Sequence, residues 1–314
     1  TPWFDNQPDG LVYAGLVAYK YKGTMPVNTA ITLTEQTKGI AGYAFDYCTG
    51  LTSMTIPAGV SSIGPLAFRG CTALAGIVVD ESSASFSTKE GVLFTKNTDT
   101  VLCYPIGKTA TSYLLPPTVT VIKDNAFFNC TTLTSVSIPE GVTLIGEYAF
   151  NGCSGLASLT LPLSVDSIGL YGFYDCGGLR NIYCINPTPI NIESPGMFGN
   201  IDVFIGVPKY GCTLHVPVGS LVAYQIAGGW KDFGAIVDDV LAVPSITEAS
   251  FTLFTESDGI VIRNAKPNAI INIYTSDGTL LLTKSVDGFE QRFTLPSRSL
   301  YFVKIGIETI KVAL

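Results

Sequence analysis

Charge is scarce in this chain of 314 residues: charged side chains make up 14% of it, and 18 Lys and Arg against 25 Asp and Glu leave a net charge of −7. An acidic chain of this kind repels a phosphate backbone, so no nucleic acid partner is expected. Histidine is scarcer still. His215 is the only one, and in Cys212-Thr-Leu-His-Val it alternates with the inward Leu214 and Val216, so it is expected to point outward near a cap, where it suits neither a Ser-His-Asp triad nor a metal site. No Cys-x-x-Cys pair is present, and Gly107-Lys108-Thr109 lacks the preceding glycine and the helix that cradle a phosphate. Mean hydropathy is high at +0.38, yet no stretch reaches the roughly 18 unbroken apolar residues of a spanning helix, so no transmembrane segment is expected. The chain starts at Thr1 without a charged or apolar leader, and a signal segment is expected to be absent from it.

What the chain has instead is a repeat. Ala44-Phe45 recurs as Ala67-Phe68, and Ala126-Phe127 recurs as Ala149-Phe150 and Gly172-Phe173, each step being 23 residues. Cys48, Cys71, Cys130, Cys153 and Cys176 follow three residues after each Phe, and Leu51, Leu74, Leu133, Leu156 and Leu179 three residues later again. A period in the low twenties with fixed Leu, Val and Ile predicts a solenoid, because no unit can hide its own apolar face. Within Leu133-Thr-Ser-Val-Ser-Ile138, Val136 and Ile138 alternate with Ser135 and Ser137, the period of a strand with one face inward. Pro57, Pro139 and Pro162 end these strands, since a missing N–H stops ladder pairing. The second half of each unit has room for a short helical turn that drives Phe and Cys inward.

The step from Phe68 to Phe127 is 59 residues, which places one atypical unit at about 80–113. Gly91-Val-Leu-Phe94 and Thr100-Val-Leu-Cys-Tyr104 flank Lys96-Asn-Thr-Asp99 there and predict a β-hairpin attached to the sheet. After Leu179 the phase fades, returns at Cys212-Thr-Leu-His-Val-Pro217, and ends with Tyr224, Trp230 and Phe233 in a segment suited to a short helix and a closing cap. Residues 241–249 are expected to be a linker. Seven short apolar runs follow in 250–314, with Asp277-Gly278 as a hairpin turn, and predict a small β-sandwich.

The string Ile-Gly-x-x-Ala-Phe-x-x-Cys-x-x-Leu-x-x-(Val/Leu)-x-(Ile/Leu)-Pro, whole at Ile145 to Pro162, resembles the BspA-like leucine-rich repeat (LRR_5-type) family of bacterial surface proteins. The expected fold is a leucine-rich repeat solenoid of short parallel strands, mostly β and irregular, followed by a small all-β sandwich. Residues 1–27 form an N-terminal cap, 28–240 the solenoid with its C-terminal cap at about 200–238, and 250–314 the sandwich. The opening, Trp3 through Tyr19-Lys-Tyr-Lys-Gly23, is similar to caps found with such proteins of Bacteroidetes-type bacteria. Ile273-Tyr-x-x-Asp-Gly278 and Leu300-Tyr-Phe-Val-Lys304 are similar to C-terminal sorting-type β-domains of that group, so a stalk, a dimerising module and a secretion signal remain open for the tail. The resemblance implies a secreted or cell-surface, outer-membrane-associated location.

Eight cysteines in an exported chain invite a disulfide framework. Five share one repeat position, so they stack about 4.8 Å apart with parallel side chains, a poor approach for the disulfide torsion. They are expected to be small buried apolar groups, with Cys184 and Cys212 the pair to test for a bridge. The outward strand positions carry no paired carboxylates for glycoside hydrolysis. No catalytic residue, cofactor or metal site is expected. Those outward positions, Ser53, Thr55, Val78, Ser135, Ser137, Ser158, Thr160, Asn181 and Tyr183, form an uncharged, hydroxyl-rich candidate binding face. Tyr43, Tyr47, Tyr148, Tyr171 and Tyr174 lie in the turn halves, with core-edge packing as the expected role and Tyr47 and Tyr174 the candidates for exposed rings. The expected function is non-catalytic adhesion or recognition of host or bacterial macromolecules, an extracellular protein or glycan, through the solenoid face. The alternative is a glycan-capture module, which should show exposed aromatic platforms along one groove.

Overall fold

The computed structural model describes residues 2–196, 199–240, 252–256, 259–263, 270–275, 280–286, 290–295, 300–305 and 308–313. They belong to two units, Thr1–Val237 and Asp238–Leu314. In the first unit, regular coils open with a strand whose inward residues are the Leu, Val and Ile of the repeat. Met54 and Ile56 in Leu51–Ile56, Val136 in Ser135–Ser137, and Leu159 and Leu161 in Ser158–Leu161 are buried, while the Ser and Thr between them face outward. Strands of successive coils pair in parallel, Ser53 opposite Gly76, Ser112 opposite Ser135, and Ser158 opposite Asn181.

A second, two-residue strand gives each coil a second parallel ladder: Gly39–Ile40 beside Ser62–Ile63, and Val121–Ile122, Leu144–Ile145 and Ser167–Ile168 in line. The repeat pattern predicts no strand there, because two residues are too few to alternate. A third line of backbone bonds runs through the turns, where the Phe127 N–H donates to Ala149 O and the Phe150 N–H to Gly172 O, both at 2.8 Å. Adjacent regular coils are therefore hydrogen-bonded along three stretches. Two residues of each turn are left-handed, Tyr148 at φ 54° and Gly152 at 71° in one coil, Tyr171 at 57° and Asp175 at 55° in the next.

Core rings stack from coil to coil, Phe127 on Phe150 at 4.8 Å between centroids and Phe150 on Phe173 at 5.1 Å. Tyr104 stands one repeat step before Phe127 and stacks on it at 5.3 Å; Phe204 continues the column beyond Phe173 at 5.4 Å, after a longer insertion. The cysteine thiols donate to the backbone of the preceding coil: Cys71 Sγ to Phe45 O at 3.0 Å, Cys153 Sγ to Phe127 O at 3.0 Å, and Cys176 Sγ to Phe150 O at 3.1 Å. They are donors as well as apolar fillers, which refines the sequence expectation. All eight cysteines are free, Cys184 and Cys212 included. Burial pushes the thiols up from their ordinary value of 9.0, to about 11 at Cys48 and Cys212 and about 12 at Cys103 and Cys176.

The atypical unit pairs Val92–Thr95 antiparallel with Thr100–Cys103 around residues 96–99, and the second strand joins Val121–Ile122 in parallel. The hairpin thus stays attached, as the spacing predicts. A further strand, Phe86–Lys89, pairs with Val92–Thr95 through Glu90-Gly91, both at positive φ, the backbone of a type I′ turn. Val92–Thr95 divides the core: Leu93 packs with the coils before it, and Val92 and Phe94 with those after. At the start, the hairpin of Gly10–Ala14 and Val17–Lys22 enters the second ladder beside Gly39–Ile40. Towards the end of the unit, the helix Leu221–Ile226 and the 3-10 turn Trp230–Asp232 bring Tyr224, Trp230 and Phe233 to the core. Trp230 and Phe233 meet the Phe204 ring edge-on, and the Trp230 indole N–H donates to Ile190 O at 2.8 Å.

The second unit consists of two antiparallel sheets. Thr252–Glu256, Gly259–Arg263 and Glu290–Thr294 form one; Leu280–Ser285, Ile270–Thr275, Leu300–Ile305 and Glu308–Ala313 form the other. Leu253, Ile260, Ile262, Ile271, Ile273, Phe293, Val303 and Ile305 share one core, so this unit is a small β-sandwich. The proposed turn Asp277-Gly278 and the linker 241–249 lie outside the described residues.

Two outcomes follow from this packing. Phe150→Ala opens the middle of the ring column and should lower unfolding free energy by about 3–5 kcal/mol, read from urea denaturation. The thiols ionise later in the folded chain than in the unfolded one, so unfolding releases protons above about pH 9. Stability should hold up to about pH 8.5 and fall as pH rises towards 11 to 12, less steeply after Cys153→Ala; a flat alkaline profile would contradict the buried thiols.

Candidate functional site

Each longer strand of the solenoid turns two side chains outward, and parallel pairing aligns them into rows. One row runs Ala30, Ser53, Gly76, then Ser112, Ser135, then Ser158, Asn181, Thr213. The other runs Thr32, Thr55, Val78, then Leu114, Ser137, then Thr160, Tyr183, His215. All nine candidate residues stand in these rows. Val78 is exposed at 56%, and the other eight are half-buried. No charged residue interrupts either row. The rows fall into three ladder segments, and the atypical unit separates Gly76–Val79 from Ser112–Leu114.

At one end, Tyr183 and His215 stack with centroids 4.3 Å apart, and His215 Nε2 is 3.1 Å from Asn181 Oδ1. The sole histidine therefore lies on the face, where sequence reasoning placed it outward but gave it no neighbours. The signal was present in the phase: Cys212 restores the repeat, and Thr213 and His215 then fall opposite Asn181 and Tyr183. Thr32 was likewise findable, 23 residues before Thr55. At the other end a groove of about 630 Å³ opens, with Thr32, Thr55 and Val78 on one side and Ser87 and Thr88 of the extra hairpin strand on the other. Glu35, Asp80, Glu81 and Lys96 also line it. The Ser82 hydroxyl and N–H hold the Asp80 carboxyl below its ordinary range. In the middle of the face, the Ser137 Oγ is buried and has no hydrogen-bond partner.

The face offers hydroxyls, an amide, a ring pair and an apolar spot. Burial pushes Cys130 and Cys153 well above the ordinary thiol value, which leaves them poor nucleophiles. Among the described residues no group of three His, Cys, Asp or Glu converges to hold a metal ion. No described helix is long and apolar enough to cross a membrane.

The model of the BspA type leucine-rich repeat region matches residues 18–99 and 106–203, in six copies. No curated protein matches the chain. Solved structures that it resembles include a leucine-rich repeat protein from Eubacterium ventriosum, 22% identical with a TM-score of 0.48 over 60% of this chain and 54% of that one. The pneumococcal vaccine antigen PcpA is 20% identical, with a TM-score of 0.46 over 66% of this chain and 67% of that one. A leucine-rich cell surface protein from Faecalibacterium prausnitzii is 20% identical, with a TM-score of 0.44 over 66% of this chain and 62% of that one. The chain spans about half the length of the first of these.

The orphaned hydroxyl gives a direct check on the face. Ser137→Ala removes a buried polar atom that pairs with nothing and should raise unfolding free energy by about 1 kcal/mol; a loss of similar size in urea denaturation would mean that the hydroxyl is bonded.

Proposed function

The chain belongs to the BspA-type leucine-rich repeat family, and from that premise we propose that it is an exported, cell-surface recognition protein that binds an extracellular macromolecule through the outward rows of its solenoid strands. The observation that carries this reading is the alignment of uncharged outward residues on successive strands. A surface of this kind spreads affinity over several coils, each supplying a small part of the roughly 800 Å² per partner that a specific protein interface buries. Ser53, Thr55, Val78, Ser135, Ser137, Ser158, Thr160, Asn181 and Tyr183 are the contact residues. Thr213 and His215 extend them.

A protein partner is favoured over a glycan on this face. Its one ring pair, Tyr183 and His215, is stacked on itself, whereas a sugar platform needs rings spread along a groove. The function is non-catalytic: seven of the eight thiols are buried, burial raises all eight above their ordinary value, and the single histidine pairs with an amide and a ring. Residues 250–314, the sandwich, serve as a sorting or stalk domain, joined by a linker at 241–249.

The test is surface plasmon resonance of the full chain over immobilised extracellular matrix proteins and glycans. Thr55→Arg, Ser135→Arg and Thr160→Arg each put a charge on the rows and should weaken binding at least tenfold. Undiminished binding by all three would remove the strand face from the interaction.

A further inference from the structure

The turns hold a second surface, distinct from the strand rows. The residue just before each Ala-Phe or Gly-Phe pair is left-handed, and Asn125 fills that position at φ 62°. Asparagine tolerates this backbone; a bulky aromatic there is unusual, because Cβ crowds the chain. Tyr148 at φ 54° and Tyr171 at φ 57° occupy the next two coils nonetheless. Leu66 takes the same backbone at φ 53°, so the left-handed turn belongs to every regular coil and it is the paired tyrosine side chains that set these two apart.

Their rings make a platform. Tyr148 and Tyr171 stack at 5.0 Å and 21°, and Tyr174 meets Tyr171 edge-on at 5.4 Å. One face of Tyr148 is backed by Tyr171. On the other side, one coil back, the equivalent residue is Asn125, so no ring covers that face. Glu147 lies beside Tyr148, whereas the Asp175 side chain lies over Gly206 of the following coil; both are exposed, and neither is bridged to a cation among the described residues. The nearest lysine in sequence, Lys123, lies 3.9 Å from Asp124.

The molecule shows elsewhere what such rings accept. In the first coils Tyr43 is left-handed in the same way, and the Arg69 guanidinium sits 4.9 Å from its ring centre and 5.2 Å from that of Tyr47. Asp46 holds the guanidinium with two bonds, at 2.6 and 2.7 Å. Arg69 lies 26 residues after Tyr43, and the residue 26 after Tyr148 is Tyr174. The coil of Tyr148 thus keeps the aromatic and lacks the cation; Asn151 stands in the place of Asp46, and Glu147 is the carboxylate beside the ring.

We infer that the Tyr148–Tyr171–Tyr174 surface is a docking site for an arginine of a partner protein, presented on an extended segment. The guanidinium stacks on the Tyr148 face that no ring backs, drawn by the negative ring face and by Glu147, with Asn125 accepting N–H bonds. A neutral ligand forgoes the carboxylate, and an anionic one is repelled by it.

The experiment uses the full chain and isothermal titration with a tetra-arginine peptide, a tetralysine peptide and maltohexaose. Tetra-arginine should bind saturably and at least several-fold more tightly than tetralysine, and maltohexaose should give no response. The Tyr148→Asn, Tyr171→Asn double variant, which installs the residue the chain itself uses at 125, should lower tetra-arginine affinity at least tenfold while its circular dichroism and melting temperature are kept. Tyr174→Arg, which supplies the guanidinium in cis, should lower it as well. Thr160→Arg on the strand rows should leave it unchanged, so this outcome and that of the strand face are read separately. Binding that survives the double variant is general attraction to an acidic chain and overturns the inference, as does binding of maltohexaose in preference to tetra-arginine.

Discussion

A backbone carbonyl sealed beneath the next coil sets the terms for the solenoid. Phe127 O already accepts the N–H of Cys130 inside its own turn, at 3.2 Å, and still has a lone pair facing the core. The thiol of Cys153, one coil on, supplies the second bond. Phe45 O and Phe150 O are treated alike, by Cys71 and Cys176. Alanine at that position fits the space but donates nothing, and serine adds a hydroxyl that is costlier to strip of water. Cysteine is small, weakly polar and a donor, and it joins two coils without a covalent bond.

The ring column and the three backbone lines depend on that turn being repeated faithfully, and the irregular places show how far it can stretch. Tyr104 takes the ring position although its unit is longer than the rest, and its hydroxyl is buried without a partner. Gly107, not cysteine, stands three residues after it, where a Cβ would fall 2.5 Å from the Ala73 backbone. The hairpin therefore keeps the aromatic contact and gives up the thiol bond. Phe204 keeps the column in a similar way while the chain between it and Phe173 detours through an inserted segment.

Much of this was legible in the sequence. The 23-residue step marked Phe45, Phe68, Phe127, Phe150 and Phe173, all of which are buried, and alternation marked the inward and outward strand residues. Seven apolar runs in the tail correspond to the seven strands among the described residues there. Other features left no trace in periodicity. The two-residue strands exist because neighbouring coils pair there; residues such as Leu144 and Ser167 carry no pattern of their own. The left-handed positions just before each Ala-Phe or Gly-Phe pair hold Tyr, Leu and Asn, so no recurring glycine announces them. Phe204 was in plain view, but an insertion separates it from Phe173 and hides the count; Tyr104 stands one repeat step before Phe127 and differs from the repeat only in carrying Tyr for Phe. On the candidate face, residue types revealed the hydroxyl rows, whereas the groove beside Thr55 depends on a hairpin strand, Phe86–Lys89, whose only sequence cue is the turn at Glu90-Gly91.

The strand Val92–Thr95 sends Leu93 to one side and Val92 and Phe94 to the other, so the solenoid's interior consists of two separate clusters on either side of a thin partition. Cooperativity in a stacked array passes through shared contacts between neighbours. Where the apolar contact is interrupted, the coupling weakens, and the earlier coils form a folding neighbourhood of their own. Under load the solenoid would give up its coils in two blocks divided at this seam.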